Sequence, residues 1–64
     1  MKRVKFIQYL NIHGCGFVKR GTRHDKYMNH YNGNRTNVPR HVDIDTDLCM
    51  LICKQLDIPK PSGA

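Results

Sequence analysis

The chain has 64 residues and a mass of 7.5 kDa, which allows one small domain. This length excludes large cofactor-binding folds such as a Rossmann unit or a barrel. Eleven Lys and Arg against five acidic residues give a formal net charge of +6, so nucleic acid is the first partner to consider.

The basic residues are concentrated in the first part of the chain. Residues 1–40 carry nine Lys and Arg and one acid, Asp25, whereas residues 41–64 carry two Lys and four Asp. Such a region can form a phosphate-binding surface, because each phosphate that is neutralised releases a counterion. Charge alone leaves a second explanation equally open, which is a solvated surface that keeps a small domain soluble.

The sequence gives no sign of a membrane or secreted protein. The longest apolar run, residues 48–53, is far shorter than the roughly 20 residues that a membrane span requires. Three cysteines, an odd number, without a signal-peptide pattern argue against a disulfide framework. We therefore expect a cytoplasmic protein that makes no membrane contact.

The first predicted elements are a helix and a short strand. Phe6, Ile7 and Leu10 share one arc at helical spacing, which predicts a helix over residues 3–13. Gly14 then provides a residue that helix ends favour. Residues 16–20 follow as a strand that stops at Gly21-Thr22.

A second strand is predicted over residues 23–31, and its two faces are mixed in character. Alternation places one set of side chains on one face, namely His24, Lys26, Met28 and His30. The opposite face receives Arg23, Asp25, Tyr27, Asn29 and Tyr31. Tyr27 and Met28 are the best core candidates, and the pattern does not decide which face is buried.

The third strand and the last helix complete the domain. Asn32-Gly33-Asn34 is a strong hairpin signal, and it leads into a strand over residues 35–38 that Pro39 ends. A helix is predicted from an N-cap at Asp45 to about Asp57. Its apolar arc consists of Leu48, Leu51, Ile52 and Leu56, with Cys49 and Cys53 on one flank.

These elements predict an α+β fold with the order α-β-β-β-α. Three sequential strands with short links favour a three-stranded antiparallel sheet, with both helices packed on one face. The domain spans residues 1–58, and residues 59–64 are expected to form a short flexible tail.

The cysteines have two possible roles. Cys49 and Cys53 are four residues apart on a helix, as two metal ligands could be, but a zinc site needs four ligands and no CxxC or HxxxH pair is present. Burial in the core is the better interpretation. Aspartates near the start of the helix also oppose a Cys49 thiolate. We predict no metal and no cofactor.

His24 is the residue with the clearest chemical potential. It lies next to the Gly21-Thr22 turn, and an imidazole can take a proton from a ribose 2′-hydroxyl or give one to a leaving 5′-oxygen. Basic side chains around it would bind the phosphate and stabilise the charge that develops there. From composition alone an ordinary surface histidine in a strand is the better interpretation, so a more specific signal is needed. The candidate RNA contacts around it are Lys19, Arg20, Arg23 and Lys26.

Residues 20–41 resemble the central motif of the HicA mRNA interferase toxins. That motif has Gly-Ser/Thr followed by His, a strand, a turn containing Gly, and a Val-Pro-x-His segment. The matching positions here are Gly21-Thr22, His24, Asn32-Gly33 and Val38-Pro39-Arg40-His41. The resemblance extends over residues 2–58. This chain departs from many members in placing Arg23 between Thr22 and the histidine.

The resemblance implies a double-stranded-RNA-binding-like fold and a toxin that cleaves mRNA without a metal. It also implies that His24 is the catalytic residue and that a HicB-type antitoxin covers the active surface. Through the Val-Pro-x-His match, Arg40 and His41 become further candidate RNA contacts, and a turn-capping or fold-supporting role stays open for His41. Binding to DNA is not expected of this chain alone.

Two other functions remain open from the residues. A non-catalytic RNA-binding module on the same fold would keep the basic surface but would not depend on His24. An interaction protein that binds a partner through the apolar last helix would leave the charge incidental.

Overall fold

The computed structural model describes residues 1–61. In chain order it contains helix α1 (Arg3–Ile12), strands β1 (Cys15–Arg20), β2 (His24–Asn29) and β3 (Arg35–Pro39), and helix α2 (Thr46–Leu56). The predicted α+β class and the α-β-β-β-α order are therefore confirmed, with element boundaries within about two residues of those predicted.

The three strands form an antiparallel meander in the order β1-β2-β3. Asn32-Gly33-Asn34 makes the predicted turn between β2 and β3, where Gly33 has a φ of 78°. The Gly33 amide donates to the Asn29 carbonyl at 2.7 Å, and the Asn29 amide donates to the Asn34 carbonyl at 2.8 Å. The turn fixes the pairing of Met28 with Arg35.

The structure decides which face of β2 is buried. Asp25, Tyr27 and Asn29 point towards the helices and are buried. Met28, the candidate on the opposite face, is only half-buried, so the question that the pattern left open is decided in favour of the face with Tyr27. The Asn29 side chain donates to the Leu56 carbonyl at 2.9 Å, which joins β2 to the end of α2.

The core lies between the two helices and this inner face of the sheet. Thr36 of β3 also faces inwards, where its hydroxyl donates to Gln55 Oε1 of α2 at 2.6 Å. Every buried side-chain polar atom among the described residues has a hydrogen-bond partner. The buried apolar side chains are Phe6, Leu10, Cys15, Tyr27, Val38, Ile44, Cys49, Ile52, Cys53 and Leu56.

Helix α2 is rotated relative to the prediction. Cys49, Ile52, Cys53 and Leu56 face the core, whereas Leu48 and Leu51 from the predicted arc are 37% and 49% exposed. Cysteine is small, so a helix that turns two cysteines inwards can lie close to the sheet. The position of Asp45 as N-cap is as predicted, but its side chain makes no capping hydrogen bond.

The segment after α2 lies partly against the domain. Asp57 ends the helix in the left-handed conformation, with a φ of 59°. The Tyr9 hydroxyl donates to the Pro59 carbonyl at 2.5 Å, and Pro61 is buried. The remaining residues of the predicted tail, 62–64, lie outside the described part. No helix within residues 1–61 is long and apolar enough to cross a bilayer.

Candidate nucleic-acid interface

A β-bulge in β1 determines where Lys19 points. Phe17 pairs with Tyr27, but Lys19 pairs with Lys26 because the register shifts between Phe17 and Lys19. Without the extra residue, Lys19 would pair with Asp25 and share the inner face. The bulge therefore moves the Lys19 side chain to the face of the sheet that neither helix covers, which we call the outer face.

The outer face contains a groove of about 220 Å³. Three strands contribute to it, since Lys19 comes from β1, His24 and Lys26 from β2, and Arg35 and Asn37 from β3. Val18 and Gly21 complete the lining. No acidic residue lines this groove, and we call it the basic groove.

A second cavity adjoins the first at His24. Its volume is about 400 Å³, and its lining consists of Gly21, Thr22, Arg23, His24 and Asn37. His24, Gly21 and Asn37 line both cavities. His24 thus borders both cavities, with Lys19, Lys26 and Arg35 lining the first and Arg23 lining the second.

The charges in the basic groove repel one another. Lys19 of β1 and Lys26 of β2 lie directly opposite each other in the sheet. The Cβ atoms of such partners are about 4.5–5.5 Å apart, and like charges at this distance destabilise the sheet. Arg35 lies diagonally across from Lys26, because Lys26 pairs with Asn37 two residues along β3. An anion such as a phosphate would relieve this repulsion by binding between the cations.

The backbone around His24 is held in a tight turn. The Gly21 amide donates to the His24 carbonyl at 2.9 Å. A Cβ at position 21 would lie 2.3 Å from that carbonyl oxygen, so only glycine fits there without a shift of the backbone. His24 also pairs with Pro39 at the end of the β2–β3 ladder. The side chain of His24 is exposed at this corner of the sheet.

An ion-pair cluster lies on the inner side of the same corner. Asp25 is buried, and its two carboxylate oxygens accept from Arg3 at 3.0 Å and from Arg40 at 2.5 Å. Arg40 also donates to the carbonyls of Gly21 and Thr22. The cluster connects the start of α1, strand β2 and the turn before His24.

The structure brings together only some of the predicted site residues. His24, Lys19 and Lys26 line the basic groove, and Arg23 lines the adjoining cavity. Arg20 is exposed and lies opposite Asp25 in the β1–β2 ladder, so its position in the register is on the inner face and not on the face with the basic groove. The remaining two, Arg40 and His41, line neither cavity, because Arg40 is paired with Asp25 and His41 is exposed beyond β3.

Arg35 and Asn37 were missed by the sequence analysis. Both are exposed and lie on the outer face through their pairing with Met28 and Lys26. The sequence carried a usable signal, because alternation opposite a buried Val38 places Asn37 and Arg35 on one face. Alternation alone does not say that Asn37 and Arg35 share a face with Lys26. That follows only from the register of the β2–β3 hairpin, in which Lys26 pairs with Asn37.

The three cysteines lie in the core, as predicted. Burial raises the pKa of the Cys15 and Cys49 thiols, and burial together with the neighbouring Cys49 and Cys15 raises the pKa of Cys53 to about 11. A nucleophilic cysteine has the opposite shift. Among residues 1–61, no three His, Cys, Asp or Glu side chains lie together as metal ligands would.

Comparisons with protein-family models, curated proteins and solved structures found no match to this chain. The resemblance to the HicA toxins, which depends on the motif residues, therefore stays a prediction.

Proposed function

We propose that this protein is a metal-independent endoribonuclease, the toxin of a type II toxin–antitoxin system, in which His24 is the general acid/base. One observation carries the proposal. His24 is exposed between two cavities, and Lys19, Lys26 and Arg35 line the cavity on one side of it. This arrangement suits an RNA phosphodiester whose scissile phosphate lies beside the imidazole.

The reaction needs proton transfer and charge stabilisation. The neutral imidazole of His24 takes the proton of a ribose 2′-hydroxyl, and the 2′-oxygen then attacks the adjacent phosphorus. The bond from phosphorus to the 5′-oxygen breaks, and that oxygen takes a proton from the imidazolium of His24 or from water, so that the imidazole ends the cycle neutral. The products are a 2′,3′-cyclic phosphate and a 5′-hydroxyl end.

The lysines and Arg35 would stabilise the reacting phosphate. Negative charge increases on the non-bridging oxygens during attack, and fixed cations nearby lower the barrier because they are already in position. The mutual repulsion of Lys19 and Lys26 across the strands supports this role, since it weakens the sheet when no anion is bound. Asn37 lines both cavities, and its amide group can donate hydrogen bonds to the RNA or accept them from it.

The proposed substrate is mRNA, and the proposed partner is a HicB-type antitoxin that would cover the outer face. Both would meet the toxin in the cytoplasm. A non-catalytic RNA-binding module would use the same basic groove, so cleavage has to be tested apart from binding.

The decisive experiment incubates the purified protein with mRNA in EDTA and compares wild type with His24→Ala. We expect wild type to cleave and to leave 2′,3′-cyclic phosphate ends, and the variant to bind RNA without cleaving it. A substrate with 2′-deoxyribose at the cleaved position should resist wild type, because it lacks the attacking oxygen.

His30→Ala is the matched control. His30 is also exposed, but it lies beyond the end of β2, about 20 Å along the strand direction from His24, and it lines neither cavity. Its substitution should leave cleavage intact. If wild type leaves RNA uncut, or if His24→Ala cuts as fast as wild type, the enzymatic proposal fails and the RNA-binding alternative is favoured.

The toxin role has its own test. Induced expression of wild type in a bacterial host should arrest growth, and expression of His24→Ala should not. Growth unaffected by wild type would exclude the toxin role even if the protein cleaved RNA in vitro.

A further inference from the structure

The ion-pair cluster behind His24 connects the inner side of the sheet to the turn that carries the imidazole. Asp25 is the residue next to His24 in β2, and its side chain points to the opposite face. It is bonded to two guanidinium groups, those of Arg3 and Arg40. Because Asp25 is buried, the loss of either guanidinium would leave part of its carboxylate without a partner away from water.

Arg40 spans the distance between the carboxylate and the turn. Its Nη1 donates to Asp25 Oδ1 at 2.5 Å, and its Nη2 donates to the Gly21 carbonyl at 2.9 Å and to the Thr22 carbonyl. These two carbonyls belong to the residues that connect β1 to His24. The planar fork of a guanidinium can hold three acceptors at once, which the single ammonium of lysine cannot do in the same geometry.

The turn has little other support from side chains. Gly21 provides one backbone hydrogen bond, to the His24 carbonyl, and Thr22 and Arg23 are exposed. The contacts of Arg40 therefore fix the path of residues 21 and 22 relative to the buried carboxylate. Arg3 holds the other carboxylate oxygen and the Pro39 carbonyl, and Pro39 is the strand partner of His24.

We propose that Arg40, oriented by Asp25, is a positioning residue that fixes the Gly21–Thr22 turn and thereby the imidazole of His24. This inference rests on the proposed ribonuclease function for its catalytic consequence. It replaces the role of RNA contact that the sequence suggested for Arg40. The charge of Arg40 is already paired with Asp25, and its side chain is only 29% exposed.

The test compares Arg40→Lys and Asp25→Asn with wild type in a steady-state cleavage assay. Arg40→Lys keeps the positive charge and removes the fork. We expect kcat to fall about 10- to 100-fold, the size of effect that a small misplacement of a catalytic group produces, while KM changes less than twofold. If Arg40 contacted RNA through its charge, Arg40→Lys would retain both parameters.

Asp25→Asn separates the two roles by the sign of the effect. This variant removes one negative charge, which by electrostatics alone would strengthen RNA binding and lower KM. Positioning predicts a lower kcat, because Arg40 loses its charged partner. Asp57→Asn is the matched control, since it makes the same change of charge at an exposed position after α2 where asparagine also accepts the left-handed conformation. It should keep the kcat of wild type.

Amide hydrogen exchange tests the positioning role without any cleavage. The Gly21 amide, bonded to the His24 carbonyl, should exchange at least about tenfold faster in Arg40→Lys, as expected when a local turn opens more often. The Asn29 amide, at the far end of β2, should keep its wild-type rate and so shows that the variant is folded. Unchanged exchange at Gly21 would overturn the positioning role. Because this readout needs no activity, a wild type that fails to cleave RNA would refute the ribonuclease proposal alone.

Discussion

The inner and outer faces of the sheet are built from alternate residues of the same strands, yet their polar groups are in opposite situations. On the inner face, Asp25 and Asn29 are buried and their hydrogen bonds are made within the chain. On the outer face, Lys19, Lys26 and Arg35 line an open groove, and none of them forms an ion pair with another residue of the described range 1–61.

The inner face therefore stabilises this small domain, whereas the outer face has polar groups that are free to bind a ligand. Polar groups whose hydrogen bonds are made inside the molecule stabilise the fold, but they are not free to hydrogen-bond a ligand. Like charges set side by side weaken the sheet and gain partners only from outside. The predictions below test whether the two faces can be changed independently.

The largest expected effect is on the reaction rate. His24→Ala should lower kcat by about 10²- to 10⁴-fold, the range typical of losing a general acid/base. Its free energy of unfolding should change by less than about 0.5 kcal/mol, because the side chain is exposed. Cleavage and urea denaturation measured on the same preparation would check both. A loss of activity matched by a loss of folded protein would contradict the separation of the faces.

The next effect is on stability and compares two neighbours on β3. Val38 is fully buried on the inner face, and Asn37 is exposed on the outer face. Val38→Ala should lower the free energy of unfolding by about 1.5–3 kcal/mol, because it removes two buried methyl groups and leaves a cavity. Asn37→Ala should leave stability almost unchanged and weaken RNA binding. Equal effects of the two variants on stability would show that the groove is not independent of the core.

A smaller effect is expected on the salt dependence of RNA binding. Replacing Lys26 or Arg35 with Gln removes one phosphate contact, so the slope of log affinity against log salt should become shallower by about 0.7 for single-stranded RNA. Lys54→Gln is the control, since Lys54 is exposed near the end of α2, away from the groove. Titrations at several salt concentrations would measure the slopes. An equal change for Lys54→Gln would indicate a diffuse electrostatic effect.

A further effect concerns the core at alkaline pH. The folded-state pKa of Cys53 is raised to about 11 by burial, above an unfolded-state value of about 8.5. Its contribution to stability is therefore full below about pH 8.5 and is lost as the pH rises to about 11. The unfolding free energy of wild type should decline over that interval, and Cys53→Ala should show a weaker decline from a lower starting value. A parallel decline in both would assign the effect to other groups.

Much of the fold was predictable because its signals are local. Apolar spacing in residues 3–13 and the Asn32-Gly33-Asn34 turn concern neighbours in the chain, and both predictions were confirmed. The rotation of α2 was predicted wrongly. Leucines and cysteines form two overlapping apolar arcs on this helix, and contact with β3 and α1, which no local pattern encodes, determines which arc is buried.

The candidate site was predictable only in part for the same reason. Lys26 and His24 share a face by simple alternation, so their proximity followed from the strand prediction. Lys19 joins them through a bulge, and Arg35 and Asn37 join through the hairpin register. Arg40 lies outside the groove because its guanidinium is paired with Asp25. The two residues are 15 positions apart, so no local sequence pattern predicts this contact.

The small size, the excess of positive charge, the order of the elements and the position of His24 at a turn all follow from the amino-acid sequence. Tertiary structure decided which side of each strand is buried and which charges stay available to a ligand. A charged group can be buried only where opposite charges meet it, and here Arg3 and Arg40 come from the two sides of β2 in sequence to meet Asp25. Lys19, Lys26 and Arg35 stay on the outer face, where no carboxylate of residues 1–61 pairs with them.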